Sequence, residues 1–228
     1  MLEYYYTFTC SCLLFNEDNY IIFGGTYSSS YSNSEGKFET RYEIKIFNGN
    51  FQNNLGNNQI KNTSYIETAY IGDKSYILLA EQGFAKSYDY KNNNLTEYKP
   101  KNLENKENQY ITFINLFNQN NKIYLLTSYN DGRIVIFDFY TAEEKGAITV
   151  GESSKYIYGL CSLNEKYFLA GIGKEIKVIN FDKRMCIKNY ENLGDKDIKG
   201  IKKIKIPEKG EFIISYSKRI ITLWKINN

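Results

Sequence analysis

Histidine is absent from the 228 residues, and only two prolines and one tryptophan occur. Without an imidazole there can be no Ser-His-Asp triad, no Cys-His pair and no histidine metal site. Four cysteines (Cys10, Cys12, Cys161 and Cys186) are too sparse and irregular for a disulfide framework. A reduced, cytoplasmic protein is the expectation. No run of about 18 apolar residues exists, so no membrane-spanning helix is expected. The opening Met1-Leu2-Glu3-Tyr4 lacks the basic region and apolar run of a secretory signal. Charge of one sign is also missing. With 29 basic and 26 acidic residues the net charge is +3, which gives no case for a nucleic-acid partner.

Aromatic residues are plentiful instead, with 22 Tyr and 14 Phe, types that favour pleated, half-buried surfaces. Short apolar runs recur: Ile77-Leu78-Leu79-Ala80, Tyr124-Leu125-Leu126-Thr127, Phe168-Leu169-Ala170 and Ile213-Ile214-Ser215. Their closing small residues are spaced 47, 43 and 45 residues apart. Tyr20 to Gly24 is an earlier copy. A second run follows each: Ala85 to Tyr88, Ile134 to Phe137, Ile176 to Ile179 and Ile221 to Trp224, with Ile44 to Phe47 further out behind a longer loop. These runs are too short for helices and rich in β-branched and aromatic residues, so they read as strands. Asn130-Asp131-Gly132 and Gly171-Ile172-Gly173 mark the turns between the paired runs. A third element precedes each pair (Ser64 to Ile66, Gln109 to Ile111, Lys155 to Ile157, Asp197 to Lys199). A fourth follows, as in Leu95 to Tyr98 and Met185 to Lys188. Four short strands per period of about 45 residues is the arithmetic of a propeller blade. The fold class expected is all-β: a β-propeller of four-stranded antiparallel blades. It forms one domain over 1–228, with five repeats near 1–62, 63–107, 108–153, 154–196 and 197–228. The last stops at its third strand.

The stretch Asn121 to Gly146, NKIYLLTSYNDGRIVIFDFYTAEEKG, resembles a WD-repeat unit, as do Cys161 to Asp182 and Gly210 to Ile226. The family's Trp-Asp pair ends the third strand; here that position reads Phe137-Asp138, Ile179-Asn180 and Trp224-Lys225. Its Gly-His pair is missing, so the His-Asp network of such blades must be absent. The resemblance implies a ring of blades, either closed in cis by the segment Leu2 to Phe8, which could instead begin repeat one, or part of a larger propeller. It also implies that the turn before strand three and the entry to strand one open on one face, the one on which the family binds peptides. By position this assigns Arg133, Lys174 and Arg219 to the first group, and Tyr65, Tyr110, Tyr156 and Lys199 to the second.

Other candidates have plainer explanations. Cys10-Ser11-Cys12 has no matching second half, and Cys12 and Cys161 read as small buried residues of first strands. Gly171-Ile172-Gly173-Lys174 lacks the helix of a phosphate loop and reads as a turn. The basic segment Lys199 to Lys209 alternates Lys203 and Lys205 with Ile204 and Ile206, as a strand with one wet face does. The loop Tyr27 to Arg41 is rich in Ser and Asn, and Tyr27 and Tyr31 could anchor a partner from it. The function expected is a non-catalytic protein–protein interaction scaffold, a subunit or domain of a larger assembly, needing no cofactor and no metal. Two alternatives stay open: an enzyme or small-molecule site in the central channel, and a nucleic-acid binder using Lys199 to Lys209.

Overall fold

A computed structural model describes residues 4–14, 20–29, 39–48, 51–55, 65–89, 92–101, 109–151, 156–191 and 197–225, with the backbone alone described before residue 65. Every regular element among them is a strand. The chain divides into two compact units, residues 1–97 and 98–228.

The first unit holds two sheets, each an antiparallel meander of four strands in chain order. One comprises β1 (Tyr4–Leu14), β2 (Tyr20–Ser29), β3 (Glu39–Asn48) and β4 (Phe51–Leu55). The other comprises β5 (Tyr65–Ile71), β6 (Lys74–Ala80), β7 (Ala85–Asp89) and β8 (Asn94–Tyr98), the last ending at the unit boundary. Strand β1 lies beside β5. Of the two roles open to the segment Leu2 to Phe8, its described part takes the second and begins repeat one: Tyr4 to Phe8 pair with Ser29 to Gly25 of β2, as the first strand of the first sheet. A strand hydrogen-bonded within its own hairpin is already committed on that edge.

The second unit holds a four-stranded sheet of β9 (Ile111–Gln119), β10 (Lys122–Tyr129), β11 (Arg133–Asp138) and β12 (Glu144–Thr149). A second is built from β13 (Ile157–Ser162), β14 (Tyr167–Ile172), β15 (Glu175–Asn180) and β16 (Met185–Glu191). The third has three strands, β17 (Gly200–Ile206), β18 (Gly210–Tyr216) and β19 (Ile221–Lys225). First strands lie side by side, β9 against β13 and β13 against β17. Sequential meanders stacked through their first strands are the blades of a propeller-type fold. Four of the five expected repeats form complete four-stranded blades, and the fifth forms a sheet of three strands among the described residues.

Middle strands are buried on both faces because a blade lies on either side. In β10 and β11, Leu125, Leu126, Thr127, Ser128, Ile134, Val135, Ile136 and Phe137 are all at most 2% exposed. Phe117 of β9 stacks on Phe181 at 4.4 Å and meets Phe168 edge-on at 5.9 Å, joining the sheet of β9–β12 to that of β13–β16. Polar contacts cross the same boundary. Ser162 Oγ reaches Leu116 O at 2.6 Å and Asn115 Oδ1 at 2.9 Å, and Gln119 Nε2 donates to Asp182 Oδ1 at 2.7 Å. The next boundary is closer still. A Cβ on Gly159 of β13 would lie 2.6 Å from the backbone nitrogen of Ile201 in β17, so the two inner strands meet with no side chain between them.

The third strands β7, β11 and β15 each end in an Asp or Asn that folds the following turn. Asp138 Oδ1 accepts from the amides of Tyr140 (3.1 Å) and Thr141 (2.9 Å). Asn180 Oδ1 accepts from Lys183 N at 2.8 Å, and Asp89 Oδ1 from Asn92 N at 3.2 Å. These are Asx turns, local substitutes for a backbone turn. Burial raises the Asp138 pKa, but donors from the Thr141 and Tyr140 backbone, the Thr141 hydroxyl and nearby Lys145 outweigh it and hold the carboxyl below its ordinary value. A depressed folded pKa gives stability that is present above the unfolded value, near 4, and is lost as pH falls through the folded one. Asp138→Ala is therefore expected to cost about 1 kcal/mol at neutral pH. Asp138→Asn keeps the turn without titrating, so its stability relative to the native chain should rise as urea unfolding is carried from pH 6 to pH 3.

Candidate functional site

In the second unit, two kinds of loop meet on one face. The entry to β9 is bonded to the β10–β11 turn: Asn130 N donates to Tyr110 O (3.1 Å), Tyr110 N to Asn130 Oδ1 (3.2 Å), and Gln109 Nε2 to Asp131 Oδ2 (3.2 Å). The entry to β17 bonds both within its own sheet, Lys199 N donating to Tyr216 O of β18 at 2.7 Å, and to the neighbouring one, Ile198 N donating to Gly173 O of the β14–β15 turn at 2.7 Å. Both turns need a glycine with positive φ, Gly132 at 81° and Gly173 at 55°.

Three side chains singled out by position come together here with one that was not. The rings of Tyr110 and Tyr156 lie 6.0 Å apart, and Tyr156 meets Tyr158 edge-on at 5.8 Å. Lys199 Nζ sits 3.9 Å from the centre of the Tyr158 ring, a cation–π contact. The row therefore runs Tyr110, Tyr156, Tyr158, Lys199, across the entries of three successive sheets. Tyr110 and Tyr156 are 39% and 37% exposed, so ring faces remain open to a partner. Partial burial, then a hydrogen bond with Tyr156 and the neighbouring phenols, push the Tyr110 pKa up to about 12. The Tyr110 phenol is therefore neutral at physiological pH, and the rings of the row serve as apolar surface tipped by hydroxyl groups.

Tyr158 was legible. Tyr158 follows Tyr156 at the two-residue strand period with fully buried Ile157 between them, and it stands where the pairing with β14 shifts register between Ile157 and Gly159.

The remaining candidates do not join this row. Arg133 is bound at home: Nε donates to Asp131 Oδ2 at 2.7 Å, Nη2 lies 2.7 Å from the same oxygen, and the guanidinium rests over Tyr129. Lys174 and Arg219 are exposed in the β14–β15 and β18–β19 turns. Tyr65 belongs to the first unit, where its hydroxyl donates to Glu67 Oε2 at 2.5 Å. Tyr27 lies in β2, where the backbone alone is described, and Tyr31 lies outside the described residues.

The basic segment is not one wet face. Lys203 donates to Leu163 O at 3.1 Å and pairs with Glu211 at 2.8 Å, whereas Lys202 is exposed on the opposite face of β17. Cys161 is buried, its thiol pKa raised to about 11 by desolvation despite nearby lysines. Among the described residues no group of three acidic, cysteine or histidine side chains is arranged to hold a metal ion, and no helix is long and apolar enough to cross a membrane.

Fold and surface together define an all-β, propeller-type chain with an exposed tyrosine row on its second unit. No protein-family model matches the chain, and no characterised protein matches it either.

Proposed function

We propose that this chain is a non-catalytic protein-interaction scaffold of WD-repeat type, working in the cytoplasm as a subunit or domain of a larger assembly. The observation that carries the reading is the row of Tyr110, Tyr156, Tyr158 and Lys199. Tyrosines are strong interface residues because a large ring is fixed at the cost of two torsions and still offers a hydroxyl. Here they are set on strand entries, so a partner meets a surface already in place. Recurring sheets supply the rigid frame and the loops supply selectivity. On this reading the sheets are blades of an incomplete or larger ring.

The test is affinity capture from extract of the source cells, with the native chain and with Tyr110→Ser/Tyr156→Ser side by side. A defined set of proteins recovered stoichiometrically with the native chain and lost with the variant is the expected result. Recovery of the native chain alone, as a free monomer, would overturn the reading.

A further inference from the structure

The third strand of the last sheet differs from its counterparts. In β11, Ile134, Val135, Ile136 and Phe137 are buried, and in β15 Ile176, Val178 and Ile179 are buried. In β19, Ile221 is 76% exposed and Leu223 52%. Register explains which side chains these are. Thr222 and Trp224 pair with Ser215 and Ile213, and Trp224 packs against the core beneath β14 and β15, its Nε1 donating to Ser215 Oγ at 2.9 Å. Ile221, Leu223 and Lys225 share the opposite face with Tyr216, Ile214, Phe212, Ile204 and Lys202. Tyr216 is 43% exposed and lies across Gly200, where a Cβ would sit 2.4 Å from its ring.

The free edge belongs to the same residues. Ser217 N donates to Ile220 O at 2.9 Å. Continuing the antiparallel alternation from that bond, Ser215–Thr222 and Ile213–Trp224 are the bonded pairs. Ile221, Leu223 and Lys225 then direct their N–H and C=O groups away from β18. Among the described residues β19 pairs with β18 alone. Outward backbone groups beside exposed apolar side chains are a template for another strand.

Charge selects the occupant. Between Ser217 and Lys225 the chain carries Lys218, Arg219 and Lys225 and no acidic residue, and the face beyond adds Lys202. A second copy pairing antiparallel about Leu223 would set Lys225 of each chain beside the Lys218–Arg219 turn of the other, so like charges oppose self-association. One complete blade points the same way: Lys86 of the third strand β7, paired with Glu81 at 3.0 Å, also lies 3.6 Å from Glu97 of the fourth strand β8.

We infer that β19 receives, as an antiparallel fourth strand, an extended segment of a partner protein. That segment carries apolar side chains opposite Ile221 and Leu223 and carboxylates opposite Lys225 and Arg219. Strand addition of this kind takes affinity from main-chain bonds and selectivity from alternate side chains. The tyrosine row plays no part in it, so the two proposals fail separately.

Trp224 is the only tryptophan in the chain and sits in the receiving strand, so its fluorescence reads occupancy directly. The probe is a synthetic peptide, Glu-Thr-Val-Thr-Val-Thr-Glu, against a control with both glutamates replaced by lysine. The acidic peptide is expected to give a saturable change and the lysine peptide to bind at least about tenfold more weakly. Leu223→Pro removes one outward N–H and leaves the β18 bonds intact, so it should abolish the change without lowering thermal stability. Arg219→Glu/Lys225→Glu, at two exposed positions, should reverse the preference between the peptides. Equal response to both peptides, or none to either, would overturn the inference. So would a dimer in light scattering that Leu223→Pro dissociates, which would make a second copy the occupant.

Discussion

Gly159→Val is expected to destabilise the chain by about 3 kcal/mol, the upper end of ordinary overpacking. At this size that lowers Tm by about 6–12 °C. The reason lies in what the new side chain would meet. A Cβ at Gly159 falls 2.6 Å from Ile201 N and 3.2 Å from Gly200 C, both backbone atoms. No rotamer change relieves such a clash; β13 and β17 would have to separate, uncovering Ile201 and Leu160, which are 4% and 1% exposed. Gly72→Ala is the control. Gly72 has φ of 61° with nothing within 4 Å of a new Cβ, so only the left-handed strain of about 1 kcal/mol is expected there. Thermal scans of the two variants separate close approach from backbone strain. Equal losses would show that β13 and β17 are not in contact at this point.

Phe117→Ala should cost about 3–5 kcal/mol, the range for an aromatic side chain removed from a closed core. Phe117 is fully buried and carries two ring contacts across a sheet boundary, to Phe168 and Phe181. Phe181 itself packs on Tyr124 of β10, so the loss loosens both sheets. Phe117→Leu, which refills much of the space, should recover more than half of the loss in urea unfolding. A full loss with leucine would place the energy in ring geometry instead of volume.

Middle strands were the most legible elements. The runs around Ile77, Leu125, Leu169 and Ile213, with their partners around Lys86, Val135, Val178 and Leu223, lie in β6, β10, β14, β18 and in β7, β11, β15, β19. A strand covered on both faces is a plain apolar run, and a turn residue marks each end. First strands were read short. The Gln109 to Ile111 element is the doorway to β9, which continues to Gln119. Its buried residues, Ile111, Ile114 and Phe117, recur every third position where flat alternation would bury every second, so the pattern hides among Asn and Thr.

The tyrosine row was half legible. Tyr110, Tyr156 and Lys199 followed from repeat position, whereas their contact depends on how far one sheet is turned from the next, which a linear period does not encode. Arg133 was assigned to the binding face by repeat position alone. The Asp131 that neutralises it is two residues away, and only the turn geometry brings carboxylate and guanidinium together.

The joint at Gly159 has a mechanical consequence. Side chains between packed strands act as padding, and they can change rotamer when one strand shifts. Between β13 and β17 the padding is missing at Gly159, where peptide rests on peptide; on the neighbouring strand Gly171 admits the side chains of Ile198 and Ile201. A push on one strand therefore reaches the other with little slack to absorb it. Lys199 leads into β17 and Tyr156 and Tyr158 lead into β13, so the open edge of the last sheet and the tyrosine row are mounted on the same stiff bearing.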